Sequence, residues 1–526
     1  MARQRRFTKP HEKLAAALAK LKDLQTDGRR VFQSDEFARI YRKRLITQGF
    51  LREVIKGWLH SNNPGTTQHD TTPWYASFWE FCSRYCDSRF GNAWHLSPEQ
   101  SLLLHAENTV IPNQVVIYSP KGANNTVKLL FDTSFYDLKQ KQMLPAEDLT
   151  VKDGLRLFTP AAALSKVPEA FLARHPIEAQ VVLAGIKDSS EVLARLLEGG
   201  HTAIAGRLAG AFRRVGRAEI ADDIMKTMKG AGYEPREKDP FSREQTFEVI
   251  ETGTAPIVGR MRVLWESMRE AVIGEFPKAP SLPASKKDYL HFVDEIYQND
   301  AYHSLSIEGY RVTRELIERV PGGNWNPDSI ESDQENRDAL AARGYWQAFH
   351  LVKEAVALII GGREVGALVR TAHRDWYREL FQPSVAAGLI GAAALAGYRN
   401  GPVFLRGSRH VPPRADVLRD AMPALFDLLE EEKEPSVRAV LGHWMFGYIH
   451  PYPDGNGRMA RFLMNAMLAS GGYPWTVIRV EDRTPYLRTL ESASIEGDIK
   501  PLAKFIAERV DWSIGQAERG VTQGAK

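Results

Sequence analysis

The sequence predicts a mainly α-helical carboxyl-terminal half preceded by a mixed α and β region. Three observations carry that prediction. From Tyr289 onward apolar residues recur mostly at helical spacing. Two β-prone runs, Val115-Val116-Ile117-Tyr118 and Val127-Lys128-Leu129-Leu130-Phe131, flank the turn Gly122-Ala123-Asn124-Asn125. Residues 160–235 are helical by spacing and rich in Ala, Leu and Arg. A chain of 526 residues is too long for one hydrophobic core, so roughly two to four domains are expected. Pro235, the Asp239-Pro240 pair and the Pro-rich stretch 276–283 mark the breaks. They divide the chain into a head at 1–65, a mixed then helical region at 66–240, a connector at 241–290 and a domain at 291–515.

Residues 1–60 hold fifteen Lys/Arg against six Asp/Glu, a net +9. The whole chain carries only +4, too little to imply a nucleic-acid partner for all of it. Leu14, Leu18 and Leu21 recur at helical spacing and predict a first helix. Ser34 is read as an N-cap followed by Asp35 and Glu36 in the first turn. The helix it opens carries Phe37, Ile40, Tyr41 and Leu45 on its apolar face, with Arg39, Arg42, Lys43 and Arg44 elsewhere and Gly49 as its stop. Residues 50–59 read as a hairpin. Helix, turn, basic helix and hairpin in this order look like a winged helix-turn-helix. With the helical body behind it, the head resembles antitoxin and regulator proteins of the AbiEi type, which makes DNA a candidate partner.

A hydrophobic content of 43% and a charged content of 25% fit an ordinary globular protein. Cys82 and Cys86 lack the further ligands a zinc site needs and are read as reduced core thiols, which fits a cytoplasmic location. No signal peptide is read at the basic start. The longest apolar run, Val385 to Gly397, is too short to span a bilayer and is read as a buried helix. His60, His69, His105 and His303 are scattered and suggest no metal site.

The chemistry concentrates in His450-Pro451-Tyr452-Pro453-Asp454-Gly455-Asn456-Gly457-Arg458, followed by Arg461. Residues 439–449 have helical character, and the two prolines force a loop to begin near His450. Gly455 and Gly457 permit tight turns and close approach of a ligand. A new helix follows, with Met459, Phe462, Leu463 and Met467 as its apolar stripe. Its free N–H groups form an anion site. Arg458 and Arg461, three apart, add positive charge on one side. Asp454 beside a phosphate is a natural Mg²⁺ ligand. His450 at the loop entry is placed to take a proton near neutral pH. Base, metal ligand, phosphate cradle and cationic clamps together suit phosphoryl-type transfer. Any one of these residues alone would read as structural. All of them in this order would not.

The segment resembles the Fic signature H-x-F-x-D/E-G-N-G/K-R extended to R-x-x-R, with Tyr452 where Phe is usual. The resemblance covers about residues 290–512. It implies an all-helical domain with a β-hairpin flap, and transfer of AMP from ATP to a hydroxyl of a target protein. It makes His450 the base and Asp454 the Mg²⁺ ligand. It puts Gly455, Asn456 and Gly457 around the phosphates and Arg458 and Arg461 at their β/γ end. The stretch 402–413, bounded by Gly and Pro, is similar to the family's flap, with Val403, Phe404 and Leu405 holding a target strand. Tyr486 resembles an aromatic of the helix that closes the adenine pocket, and Ser494 stands where Asn is usual. Upstream, Ser304-Leu305-Ser306-Ile307-Glu308-Gly309 matches the family's inhibitory pattern S/T-x-x-x-E-G/N. It lies about 140 residues before His450, as in members with an amino-terminal inhibitory helix. Read without the family, the same hexapeptide is a helix end capped by Gly309. The rival readings are removal of AMP or other nucleotidyl transfer at this site, and a DNA-binding regulator that senses nucleotide. ATP, a target protein, DNA and a second copy of the chain are the candidate partners. No membrane is among them.

Overall fold

The computed structural model describes residues 10–65, 70–241, 250–251, 253–283, 285–320 and 337–524. His69 lies outside them. The chain divides into two compact units, the first formed by Met1–Arg243, Glu251–Gly253 and Phe404–Val411, the second by Glu244–Ile250, Thr254–Val403 and Pro412–Lys526.

In the first unit, α1 (Pro10–Leu24) and β1 (Val31–Gln33) precede α2 (Arg39–Thr47), β2 (Leu51–Ile55) and β3 (Trp58–Ser61). The hairpin β2–β3 forms as expected, and β1 joins it to give the antiparallel order β1-β3-β2, with Phe32 opposite Leu59. Leu21, Phe37 and Leu45 pack with Phe32 and Leu59 in one cluster. The basic helix starts later than Ser34 predicts. Residues 34–36 make a single 3₁₀ turn whose capping box joins Gln33 and Glu36, and α2 begins at Arg39. Ile40, expected on the apolar face, is 56% exposed.

The long aromatic helix α3 (Thr72–Phe90) lines the next core with Trp74, Phe78 and Phe81. Both cysteines sit on it, free and fully buried. Strands β4 (His95–Leu96), β5 (Gln114–Ser119), β6 (Asn125–Lys128) and β7 (Ser134–Lys139) form one sheet in the order β4-β5-β7-β6. The first predicted strand lies in β5, but only Val127 and Lys128 of the second are in β6, Leu130 and Phe131 turning away, and the two strands are not neighbours. β7 inserts between them, parallel to β5 and antiparallel to β6. A further hairpin, β8 (Leu149–Lys152) with β9 (Leu155–Phe158), leads into a series of helices between Pro160 and Gly230, as the spacing predicts. His60 is buried, and His105 faces the Phe158 carbonyl at 2.8 Å.

The second unit is built of helices joined by loops, with no strand among its described residues. Its elements, numbered on from α4 (Pro98–His105), α5 (Pro160–Leu164), α6 (Glu169–Arg174), α7 (Pro176–Gly185), α8 (Ser190–Glu198), α9 (Thr202–Arg214) and α10 (Ala218–Gly230) of the first unit, are α11 (Pro256–Glu275), α12 (Lys286–Ile307), α13 (Arg314–Arg319), α14 (Arg337–Ile360), α15 (Val365–Ala386), α16 (Leu418–Glu431), α17 (Pro435–Ile449), α18 (Asn456–Ser470), α19 (Arg483–Ile495) and α20 (Lys500–Gly524). α17 and α18 form the buried centre, and α14 and α15 pack so closely that a Cβ on Gly344 would lie 2.1 Å from the Leu380 carbonyl. The apolar run 385–397 is not a buried helix. α15 ends at Ala386, Gly388 takes a left-handed φ, and residues 388–393 are mostly exposed. Small side chains supply too little apolar area per residue to hold that stretch inside.

The segment 403–411 forms no hairpin of its own. The chain turns at Arg406-Gly407, and His410 makes an isolated antiparallel bridge to Val110. The Ile111 and Val411 amides donate to the Arg409 and Thr109 carbonyls, each at 3.0 Å. A nine-residue stretch broken by Gly407 pairs better with an existing edge than with itself.

Candidate active site

Helix α17 ends at His450, which adopts φ 51° and ψ 60° and donates its amide to the Phe446 carbonyl at 2.9 Å. This is the left-handed position that usually belongs to glycine or asparagine, so the histidine is held there by its surroundings. Its Nδ1 lies 3.3 Å from the Gly447 carbonyl. A carbonyl only accepts, so Nδ1 carries the proton and Nε2 keeps its lone pair. Burial, aided by the Arg399 charge, pushes the imidazole down to about 4, against weaker upward effects of the Gly447 hydrogen bond, Glu308 and Asp454. The ring is therefore neutral at pH 7.

The loop after it is built on Tyr452 and Asn456. Tyr452 is fully buried and stacks on Tyr377 with centroids 3.7 Å apart and planes 7° off parallel. Its hydroxyl has no partner among the described residues. Asn456 accepts from the Tyr452 amide at 2.9 Å and donates to the Tyr452 carbonyl at 2.8 Å, closing the loop on itself. Asn456 is thus a loop clasp, with its side chain turned inward. Asp454 is 60% exposed, and one of its oxygens accepts from the Gly455 amide at 2.7 Å. Gly455 turns the chain at φ 80° into α18. The amide groups of the first turn are left for an anion, as in any helix start.

Arg458 and Arg461 project from α18. Arg458 is 1% exposed and lies between the rings of Tyr310 and Phe381, each 5.1 Å from its guanidinium carbon. Its Nε and one Nη find no hydrogen-bond partner among the described residues, and the nearest carboxylate oxygen, on Asp454, is 3.8 Å away. A buried cation with idle donors is a ready anion ligand. Arg461 is fully engaged: its Nε donates to Ser304 Oγ at 2.8 Å, and one Nη donates to the Ser304 carbonyl at 3.1 Å and to Glu308 Oε1 at 2.7 Å.

Ser304 and Glu308 belong to the end of α12. Gly309, at φ 86°, reverses the chain, and the Tyr310 amide returns to the Leu305 carbonyl at 3.1 Å. Arg483 caps the same end by donating to the Ile307 carbonyl at 2.8 Å. The hexapeptide is thus a glycine-capped helix end, and its carboxylate also reaches the arginine. Burial would raise the Glu308 carboxyl, but Arg461 and Arg458 outweigh it and hold the group below its usual range. The carboxylate rests against the first turn of α18. A Cβ on Gly457 would lie 2.2 Å from Glu308 Oε1.

His450, Asp454, Gly455, Asn456, Gly457, Arg458, Arg461, Ser304, Glu308 and Gly309 therefore gather in one region of the second unit. Tyr486 joins them, its hydroxyl against the Arg461 guanidinium. It is 2% exposed, stacks on Phe505 and lies 2.7 Å from His443 Nε2. Ser494 accepts from Trp444 Nε1 at 3.0 Å. Val403, Phe404 and Leu405 are half-buried, and the Phe404 ring lies under Arg30 in the first unit. Sequence reasoning missed Tyr310, Phe381 and Tyr377: Phe381 and Tyr377 read as core aromatics of a helix, and Tyr310 stands in a loop without a motif. His303 accepts from the Val480 amide at 3.2 Å, a structural contact.

Residues 367–468 match the model of the Fic/DOC family. Among curated relatives, the chain is 30% identical over 266 residues to a protein named protein adenylyltransferase Fic from Nematostella vectensis, covering 48% of this chain and 56% of that protein. A protein of the same name from Drosophila willistoni is 39% identical over 273 residues, 51% of this chain and 48% of its own. The chain spans about half the length of the curated relatives it matches. Among solved structures, Fic-1 (residues 134–508) from C. elegans aligns with a TM-score of 0.39 at 17% identity, covering 67% of this chain and all of that one.

Proposed function

We propose that this chain, which carries a Fic domain at residues 367–468, is a protein adenylyltransferase held inactive by its own Glu308. The relatives' names support the reaction class. The observation that carries the inhibited state is the Glu308 carboxylate on Arg461, lying where Gly457 alone leaves room for it.

In this reading ATP lays its phosphates on the first turn of α18, with the idle donors of Arg458 as one clamp and Arg461 as the other. Asp454, a single exposed carboxylate, fits Mg²⁺ shared with ATP phosphates, since that ion is commonly held by one or two carboxylates plus phosphate oxygens and water. The ion would neutralise phosphate charge. A target hydroxyl approaches His450 Nε2 and gives up its proton there as its oxygen attacks the α-phosphorus. The bond to the bridging oxygen breaks and pyrophosphate leaves. Glu308 competes with the terminal phosphates for Arg461, so ATP loses a clamp or binds with its α-phosphorus turned from the line of attack. Incubation with α-labelled ATP and Mg²⁺ tests the reading: label on protein that depends on His450 supports it, and release of AMP from a labelled target favours the hydrolytic alternative.

A further inference from the structure

Arg399, a charge beside His450, is 5% exposed and bonded on every side. Its guanidinium meets only carbonyl oxygens. Nε donates to His450 at 2.8 Å, one Nη to Gly401 at 2.9 Å, and the other Nη to Pro413 and, at 3.3 Å, to Ile449. Its own amide donates to the Pro451 carbonyl at 2.9 Å. No carboxylate pairs with it among the described residues, and burial pushes the group down to about 10.

A buried cation without a counter-ion is expensive and is retained only where dipoles offset it. Here the dipoles are the orphan carbonyls at the end of α17, the negative pole of that helix. The remaining two carbonyls belong to Gly401 and Pro413. These are the roots from which the chain leaves the second unit after Val403 and to which it returns at Pro412. One side chain therefore ties the turn bearing His450 to both roots of the segment expected to receive a target strand. His450 sits in a left-handed conformation that few non-glycine residues adopt, and two of the five bonds hold that residue's carbonyl and the one before it.

We propose that Arg399 is a positioning residue that fixes the His450 turn and the chain at Gly401 and Pro413 in one frame, so that the base keeps the orientation that transfer requires. The inference rests on the transferase reading of the site. A displacement near 1 Å at a reacting centre costs on the order of 10²-fold in rate. The Arg399 charge also faces His450, alongside Glu308 and Asp454, and helps keep the imidazole unprotonated.

The test uses the full chain carrying Glu308→Gly as parent, with Arg399→Lys and Arg399→Gln added separately. Automodification rate is followed against pH, ATP affinity is measured by calorimetry, and hydrogen exchange is read over 399–403 and 448–452. Lys keeps the charge but cannot fork across four carbonyls. It should lower the rate roughly 10- to 100-fold with ATP affinity nearly unchanged, speed exchange in both segments, and leave the acid limb of the pH profile in place. Gln should lower the rate similarly and move the acid limb to higher pH. A role confined to folding would depress melting and ATP binding together and leave the acid limb unmoved in both variants, which overturns the proposal. Variants that transfer at the parent's rate overturn it as well. Should Arg399→Gln fail to fold, Arg399→Lys carries the test. Should the parent itself transfer nothing, the functional reading fails, and unchanged exchange in the Arg399 variants would then refute the positioning role on its own.

Discussion

Gly457→Ala offers a quantitative probe of the inhibitory contact. The new methyl would lie 2.2 Å from Glu308 Oε1, 3.1 Å from Glu308 Cδ and 3.3 Å from an Arg461 nitrogen. The first distance is impossible without movement, and the oxygen that must move is the one bonded to Arg461 at 2.7 Å. Overpacking of this kind costs about 1–3 kcal/mol. Gly457 lies in the first turn of α18 with no positive φ, so the backbone itself accepts Ala and gains up to about 1 kcal/mol of helix propensity. With Glu308 present the substitution should therefore range from neutral to about 2 kcal/mol destabilising. With Glu308→Gly it should be neutral to about 1 kcal/mol stabilising. The coupling in the double-mutant cycle should equal the overpacking cost, about 1–3 kcal/mol. The assay is denaturant unfolding of the four proteins, read at the transition that Glu308→Gly shifts. A coupling below about 0.5 kcal/mol, the additivity expected of independent sites, would refute the placement of the carboxylate against α18.

Other outcomes are equally specific. His450→Ala should abolish transfer in the Glu308→Gly protein while calorimetric ATP affinity stays within a few-fold, since the imidazole acts on the hydroxyl and not on the phosphates. Three fully buried histidines, His60, His373 and His443, are pushed by burial down to about 4. Their stabilising effect is complete above the unfolded value of about 6.5 and is lost as pH falls through about 4, each at up to about 1.4 kcal/mol per pH unit. Asp300, which burial raises to about 6, acts oppositely, stabilising below about 3.9 and losing that effect as pH rises through 6. Three outweigh one, so melting temperature should fall between pH 6.5 and 4, and a flat profile there would contradict the burial of these rings. Finally, Arg39, Lys43 and Lys56 are exposed on α2 and the β2–β3 turn. If the basic head binds duplex DNA, the full chain should do so with steep salt dependence that Lys43→Ala and Lys56→Ala flatten, and absence of a mobility shift at micromolar protein in low salt would remove that role.

The site was far more legible in the sequence than the frame that carries it. Between 451 and 461 two prolines break the helix, two glycines allow tight turns and two arginines supply charge, so loop, helix start and anion site could be read from neighbours alone. Ser304 and Glu308 were legible as a pattern, and their meeting with Arg461 needs only two helix faces. What stayed hidden depends on distant partners. β7 enters between β5 and β6 through a parallel pairing that no local turn signals. The 404–411 segment finds its partner near Val110, almost 300 residues away in sequence, so a self-paired hairpin looked adequate. Residues 385–397 are apolar by composition but too small to repay burial. Arg399 carries no motif at all, because its five partners are main-chain atoms and any sequence supplies those.

The central claim is that Glu308 restrains a competent adenylyl-transfer site. The direct measurement incubates wild type and Glu308→Gly side by side with α-labelled ATP and Mg²⁺ and follows label on the protein. The freed Arg461 should accept the terminal phosphates, and the variant should automodify well above wild type, with the gain in rate exceeding any gain in ATP affinity. A folded Glu308→Gly protein that binds ATP and acquires no more label than wild type would contradict the account.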